Sequence, residues 1–219
     1  MPRRSCLAFD DVGKRDKFSG MEKTVDNSSA EPAAAVASLE TLERRAEGWC
    51  RDGIVGGSAL VETPLDKKNV FPEGARNAGR LDPMGWAVCA AVSAALRSVE
   101  LLERNGEKLP VAIYFSCPEG SIPADAAYFD DYLAFDETGG RANMFVHTLP
   151  SSPIGEASVR FGLTGETMFF ATSENVVEAM TRFAETAAAI RGEKLFLVGT
   201  GRHTGTNSAD ASFILLAAR

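Results

Sequence analysis

The sequence has only two histidines, and its four cysteines, Cys6, Cys50, Cys89 and Cys117, stand far apart with no C-x-x-C pair. That spacing excludes a zinc site built on cysteine pairs and offers no disulfide framework, so reduced thiols and no metal are expected. Positive charge is also in short supply: 23 Lys and Arg against 30 Asp and Glu leave a formal net charge of -7. A nucleic-acid or anionic-membrane binder gains from a clustered positive face through counterion release, so neither kind of partner is expected. Long apolar runs are missing as well. No segment suits a bilayer span, and the N-terminal "MPRRSCLAFDDVGKRDKFSG" has basic residues without the apolar stretch of a signal sequence. The expectation is a cytoplasmic protein that needs no cofactor.

What is present is enough for one sizeable core: 219 residues, 45% of them hydrophobic. Residues 1–31 are polar, lack periodicity and close on "DNSSAEP", which predicts a flexible tail; Met21 offers an alternative start. The domain is expected over 32–219. In "PAAAVASLETLERRAEGW", Val36, Leu39 and Leu42 recur at helical spacing behind Pro32, predicting a short amphipathic helix. "DGIVGGSALVE" predicts a glycine-interrupted strand, and the segment from Thr63 to Pro83 a long loop.

"DPMGWAVCAAVSAALRSVELLERNG" predicts a helix capped by Asp82, with Pro83 at its first position and Asn105-Gly106 at its end. Its small apolar residues nearly encircle the axis, as in a helix buried between layers. After it, "LPVAIYFSCPEG" predicts a buried strand, "PADAAYFDDYLAF" a helix, and "NMFVHTLPSSPIGEASVRFGL" a strand end, a turn and a short helix. "ETMFFAT" predicts a strand, "SENVVEAMTRFAETAAAIRG" a helix, and "KLFLVGTG" and "ASFILLAA" two strands. Alternating strands and helices argue for an α/β fold with a central sheet covered by helices.

Several motifs invite chemistry. In "LVGTGRHTG", Gly199, Gly201 and Gly205 follow an apolar strand as a phosphate-cradling loop would, but a nucleotide-binding module requires a helix next, and "ASFILLAA" predicts a strand. His203, Ser208 and Asp210 could be drawn as a hydrolase triad, although residues so close in sequence seldom converge. His147, between "MFV" and "TLP", suits a hydrogen-bonded buried histidine. Asp125, Asp130, Asp131 and Asp136 suit a solvated helix face. Phe169 and Phe170 point to opposite sides of a strand, which places that strand in the sheet centre or at a subunit interface.

The run "HTLPSSPIGEASVRFGLTGETMFFATSENVVEAM" resembles the N-terminal half of the β-ketoacyl synthases. Gly155 matches a glycine of the family's preceding turn-helix segment, Phe161, Gly162, Leu163 and Gly165 stand in register with its "xFGLxG" element, and "ATSE" occupies its "A-T-A-C". "GRLDP", "VAIYFSCPEG" and "LFLVGTG" follow the expected order. The resemblance implies a thiolase-like half domain with a mixed central sheet. It also implies a role in fatty-acid or polyketide synthesis, through self-association or a heterodimer with a ketosynthase, and with an acyl carrier protein as a further partner.

The resemblance puts Glu174 at the position of the nucleophilic cysteine, while the family's two catalytic histidines belong to its C-terminal half, for which this chain has no residues. A glutamate cannot carry the acyl group as a thioester, and its charge opposes the developing oxyanion. A condensation-incompetent accessory subunit is therefore implied. The alternative is an acyl-thioester decarboxylase or hydrolase with Glu174 as its acid or base, which calls for a buried Glu174 with His147 or a partner's residue nearby. A plainer role is open too: an acid at a helix start interacts favourably with the dipole by about 0.3–1 kcal/mol, and Asn175 and Glu178 have the spacing of a capping box.

Overall fold

The computed structural model describes residues 42–71, 74, 77–102, 107–135, 140–171 and 174–219. The expected tail at 1–31, with Met21, lies outside them. Among the described residues, seven strands form one mixed sheet: β1 Leu42–Arg51, β2 Ile54–Gly57, β3 Leu60–Pro64, β4 Val111–Ser116, β5 Thr167–Phe169, β6 Leu195–Gly205 and β7 Ser208–Ala218. Their order is β3-β2-β1-β7-β6-β4-β5. β4 runs parallel to β5 and β6, whereas β7 is antiparallel to both β6 and β1. The helices are α1 Lys67–Val70, α2 Pro83–Arg97, α3 Ile122–Ala134, α4 Ala142–Phe145, α5 Ser152–Phe161 and α6 Val176–Arg191.

β4 is buried at all six positions, which its unbroken apolar run requires of a strand covered on both faces. Val111, Ile113 and Phe115 join the larger core beneath α2 and α5, while Ala112 and Tyr114 join a second core beneath α6 with Met180, Ala184, Phe196 and Val198. Strand alternation thus divides one sequence run between two cores. α2 is the central support of the first core. Its alanines bring the backbone against β1, where a Cβ on Gly48 would lie 2.1 Å from the Ala91 carbonyl oxygen and 2.2 Å from the Ala95 nitrogen. Only glycine fits there.

The structure corrects several expectations. Residues 42–49 are strand, not helix; Val36 and Leu39 lie outside the described residues. Burial of Ala46, Gly48 and Cys50 shows a period of two, set by contact with α2. "DGIVGGSALVE" makes two strands, the first joined to β1 through Asp52 and Gly53 with φ of 48° and 72°. α2 begins as expected, with Asp82 accepting from the Gly85 N–H at 2.8 Å, but ends at Arg97. There the chain reverses through Glu100 at φ 59°, and the Leu101 N–H returns to the Leu96 carbonyl at 3.0 Å; Asn105-Gly106 lies outside the described residues. Finally, Asn143, Met144 and Phe145 belong to helix α4, not a strand end.

β5 is at the edge of the sheet, not its centre. Phe169 and Phe170 do diverge as expected, Phe169 packing against the α2-side core and Phe170 against the α6-side core.

Candidate functional site

The carboxyl ends of parallel strands are where α/β sheets open toward ligands. Here β4 ends at Ser116 and β6 runs on through Thr200 and Arg202, beside the first residue of α6, Val176. These four residues, with Arg51 and Asp210, line a cleft of about 490 Å³. The Ser116 hydroxyl donates to the Phe170 carbonyl at 2.7 Å, tying the end of β4 to the chain leaving β5.

Arg202 and Asp210 define the polar wall. They are cross-strand partners, and the guanidinium places Nε 3.1 Å and Nη2 2.8 Å from Asp210 Oδ2. The other carboxylate oxygen accepts from the Asp52 N–H at 3.0 Å, so Asp210 also clamps the β1–β2 turn. On the adjacent strand the Arg51 guanidinium lies 5.3 Å from the Trp49 ring centroid, within cation–π range.

Glu174 is exposed, two residues ahead of α6; Thr172 and Ser173 lie outside the described residues. Asn175 is left-handed, with φ 47°, and its side chain makes no capping bond. Glu178 instead pairs with Arg182 at 2.7 Å, so the capping box does not form. The decarboxylase reading requires a buried Glu174 with His147 or a partner's residue nearby; here Glu174 is exposed, and the His147 ring bonds the Arg80 carbonyl at 2.7 Å with Asp82 3.7 Å away. His147 is hydrogen-bonded as expected, but it is half-buried rather than buried, and its apolar neighbours Val146 and Leu149 are exposed.

The remaining sequence candidates separate. Asp210 is committed to Arg202, Ser208 accepts from the Thr204 hydroxyl at 3.0 Å, and His203 pairs across the hairpin with Ala209, so no triad assembles. A strand follows Gly205, which removes the nucleotide-binding reading. Asp131 is buried and ion-paired with Arg141, unlike the solvated face expected of it; Asp136 lies outside the described residues.

Among the described residues, no cysteine offers an accessible thiol. Cys50, Cys89 and Cys117 are all buried. Burial, with the charge of Asp210, pushes the Cys50 thiol up to about 11; burial and the bond to Glu119 push Cys117 up to about 12. Burial likewise raises Cys89. Such thiols stay protonated and inert near neutrality. Burial works against ionisation of Glu119, but the Cys117 thiol, 3.2 Å away, and the backbone N–H groups of Glu119 and His203 outweigh it and hold the carboxyl below the usual range. Sequence reasoning missed the Arg202–Asp210 pair. Its signal was the hairpin itself: residues flanking a short turn between two strands become cross-strand neighbours.

This architecture is shared with solved ketosynthases. The ishigamide ketosynthase/chain length factor superposes with a TM-score of 0.62 at 8% identity, over 83% of this chain and 59% of the other. A β-ketoacyl synthase from Burkholderia phymatum STM815 gives 0.53 at 14%, over 85% and 54%. AntDE:AntF, a type II polyketide synthase acyl-carrier protein in complex with its ketosynthase, gives 0.50 at 17%, over 66% and 49%. The chain therefore spans about half to three fifths of the length of these relatives, from 49% to 59%. No protein-family model and no curated protein matches the sequence. The fold is the thiolase-like α/β fold of the ketosynthases. No described helix is long and apolar enough to cross a membrane.

Proposed function

We propose that the chain is a condensation-incompetent, ketosynthase-like accessory subunit that works beside an active ketosynthase in cytoplasmic fatty-acid or polyketide synthesis. One observation carries the reading. At the junction of β5 and α6, where the resemblance places a condensing enzyme's cysteine, stands the exposed carboxylate of Glu174, while the described cysteines are buried and protonated. The carboxylate cannot form the acyl thioester, so the retained fold serves to hold a partner or shape its site.

The free edge of β5 supplies the surface. Among the described residues β5 hydrogen-bonds β4 on one side only, and an unpaired strand edge is a template for another chain. The ishigamide protein joins a ketosynthase with a chain length factor, and AntDE:AntF joins a ketosynthase with an acyl-carrier protein. By analogy, a ketosynthase is the first partner and an acyl carrier protein the second. Homo-oligomers would use the same edge.

Co-expression of the full chain with a ketosynthase from its own host, followed by size-exclusion chromatography with light scattering, tests this. The expected result is a stable co-eluting complex, with no malonyl-thioester condensation by the chain alone. A chain that stays monomeric at every concentration and ignores the ketosynthase overturns it, as does malonyl-thioester turnover by the chain alone that Glu174→Gln abolishes.

A further inference from the structure

Helix α3 inverts the usual amphipathic pattern. Its one buried residue is Asp131, ion-paired with Arg141, whereas Ile122, Phe129 and Leu133 are exposed. With the exposed Ala126 these three stand at i, i+4, i+7 and i+11, which makes one apolar stripe along the outer face of the helix. The apolar surface continues beyond α3. The Tyr128 ring meets Phe145 edge-on at 5.7 Å, and Phe145, Val146 and Leu149 in the neighbouring helical stretch are exposed as well.

These six large apolar side chains are each between 47% and 68% exposed. At roughly 200 Å² for a large side chain, about half of it in water, they present on the order of 600 Å². The largest apolar patch of an ordinary monomer covers about 300–600 Å². One side of a standard interface buries about 800 Å², of which roughly 500 Å² is apolar in homodimers. The surface around α3 therefore holds the apolar area that one side of a stable homodimer needs.

The stripe is also complementary to itself. Its four positions are symmetric about the point between Ala127 and Tyr128, so reversal sets Ile122 opposite Leu133 and Ala126 opposite Phe129. A second copy laid antiparallel across a two-fold axis brings each Phe129 over the small Ala126 of the other copy, large side chain into small gap. α3 has no Lys or Arg, and the exposed acids Asp125 and Asp130 flank the stripe. Two chains of net charge -7 repel one another, and salt screens that repulsion while leaving the apolar contact intact. We propose that α3 is a self-association surface, on which two copies of this chain pack antiparallel. The contact is additional to the β5 edge and does not depend on a ketosynthase.

Sedimentation velocity on the full chain carrying Thr167→Lys, which weakens pairing at the β5 edge, tests it. The expected result is a dimer whose population rises with concentration and is at least as large in high salt as in low. Phe129→Glu, at the centre of the stripe, is expected to weaken the dimer at least tenfold. Phe129→Ala and Ala126→Phe are each expected to weaken it as well, while the two together restore much of the loss by setting large against small again. All these positions are exposed, so calorimetry should find the melting temperatures nearly unchanged; should Phe129→Glu not fold, the swapped pair decides. A monomer at every concentration, a dimer dissolved by salt, one unmoved by Phe129→Glu in a folded chain, or a double variant no tighter than Phe129→Ala alone overturns the proposal. So does a chain monomeric by itself in which Phe129→Glu abolishes only ketosynthase binding, an outcome that assigns the stripe to that partner.

Discussion

Arg202 on β6 and Asp210 on β7 are cross-strand partners, yet their exposures differ sharply: the arginine side chain is 68% exposed and the aspartate 8%. The pair is therefore asymmetric. Removing Arg202 leaves Asp210 bonded to the Asp52 N–H, whereas removing Asp210 strips both the arginine and the β1–β2 turn of their acceptor. Asp210→Ala is expected to cost about 1–3 kcal/mol, and Arg202→Ala distinctly less because its charge is largely in water. Urea unfolding midpoints of the two variants check this order.

Gly48 tests the close contact between β1 and α2. A Cβ there meets backbone atoms of Ala91 and Ala95 at little over 2 Å, which no side-chain rotation relieves. Gly48→Ala is expected to cost at least about 1–3 kcal/mol and to lower soluble yield. Gly53, at φ 72° with nothing within 4 Å, is the control: alanine there meets only backbone strain, roughly 1 kcal/mol. Thermal melting of both variants separates packing from conformation.

Glu166 links stability to acid. Its bond to Arg191 at 2.6 Å, opposed by burial and assisted by the Tyr114 hydroxyl at 3.0 Å, holds the carboxyl below its ordinary 4.5. A carboxyl with a lowered folded pKa contributes stability that is complete above its ordinary value and lost as pH falls through the folded one. Stability should therefore fall below about pH 4.5, and Glu166→Gln should flatten that part of the profile. Added salt should weaken the effect, since the Arg191 side chain is 47% exposed. Urea midpoints collected across that pH range measure it.

Thr167 is exposed at the start of β5. Lysine on an edge strand opposes pairing with another chain, so Thr167→Lys is expected to weaken association by roughly tenfold or more while leaving the melting temperature of the isolated chain nearly unchanged. Light scattering with and without the ketosynthase reads the first effect, and calorimetry the second.

Glu174→Cys should install a thiol in open solvent. Peptide mass spectrometry after brief iodoacetamide treatment should find position 174 modified, while Cys50, Cys89 and Cys117 react only after denaturation. The variant is not expected to condense malonyl thioesters, because a thiol without partner histidines lacks the groups that stabilise the enolate.

Much of the fold was legible. The apolar run of β4 could only be a strand covered on both faces, and Asp82-Pro83 fixed the start of α2 through a cap and a ring that suit the first turn. The strand after Gly205 was readable too, and it alone separates this chain from a nucleotide-binding loop. The proposed match of Glu174 to a condensing enzyme's cysteine rests on the "FGLTG…ATSE" order alone. These features rest on interactions within a few residues of one another, which is the range over which sequence acts directly.

Tertiary structure decided the rest. β1 reads as helix because its apolar spacing is ambiguous, and it is a strand because pairing with β7 and β2 satisfies its backbone while Gly48 admits α2. The edge position of β5 and the Arg202–Asp210 clamp both join residues from different strands or distant segments. Only the sheet order fixes those distances.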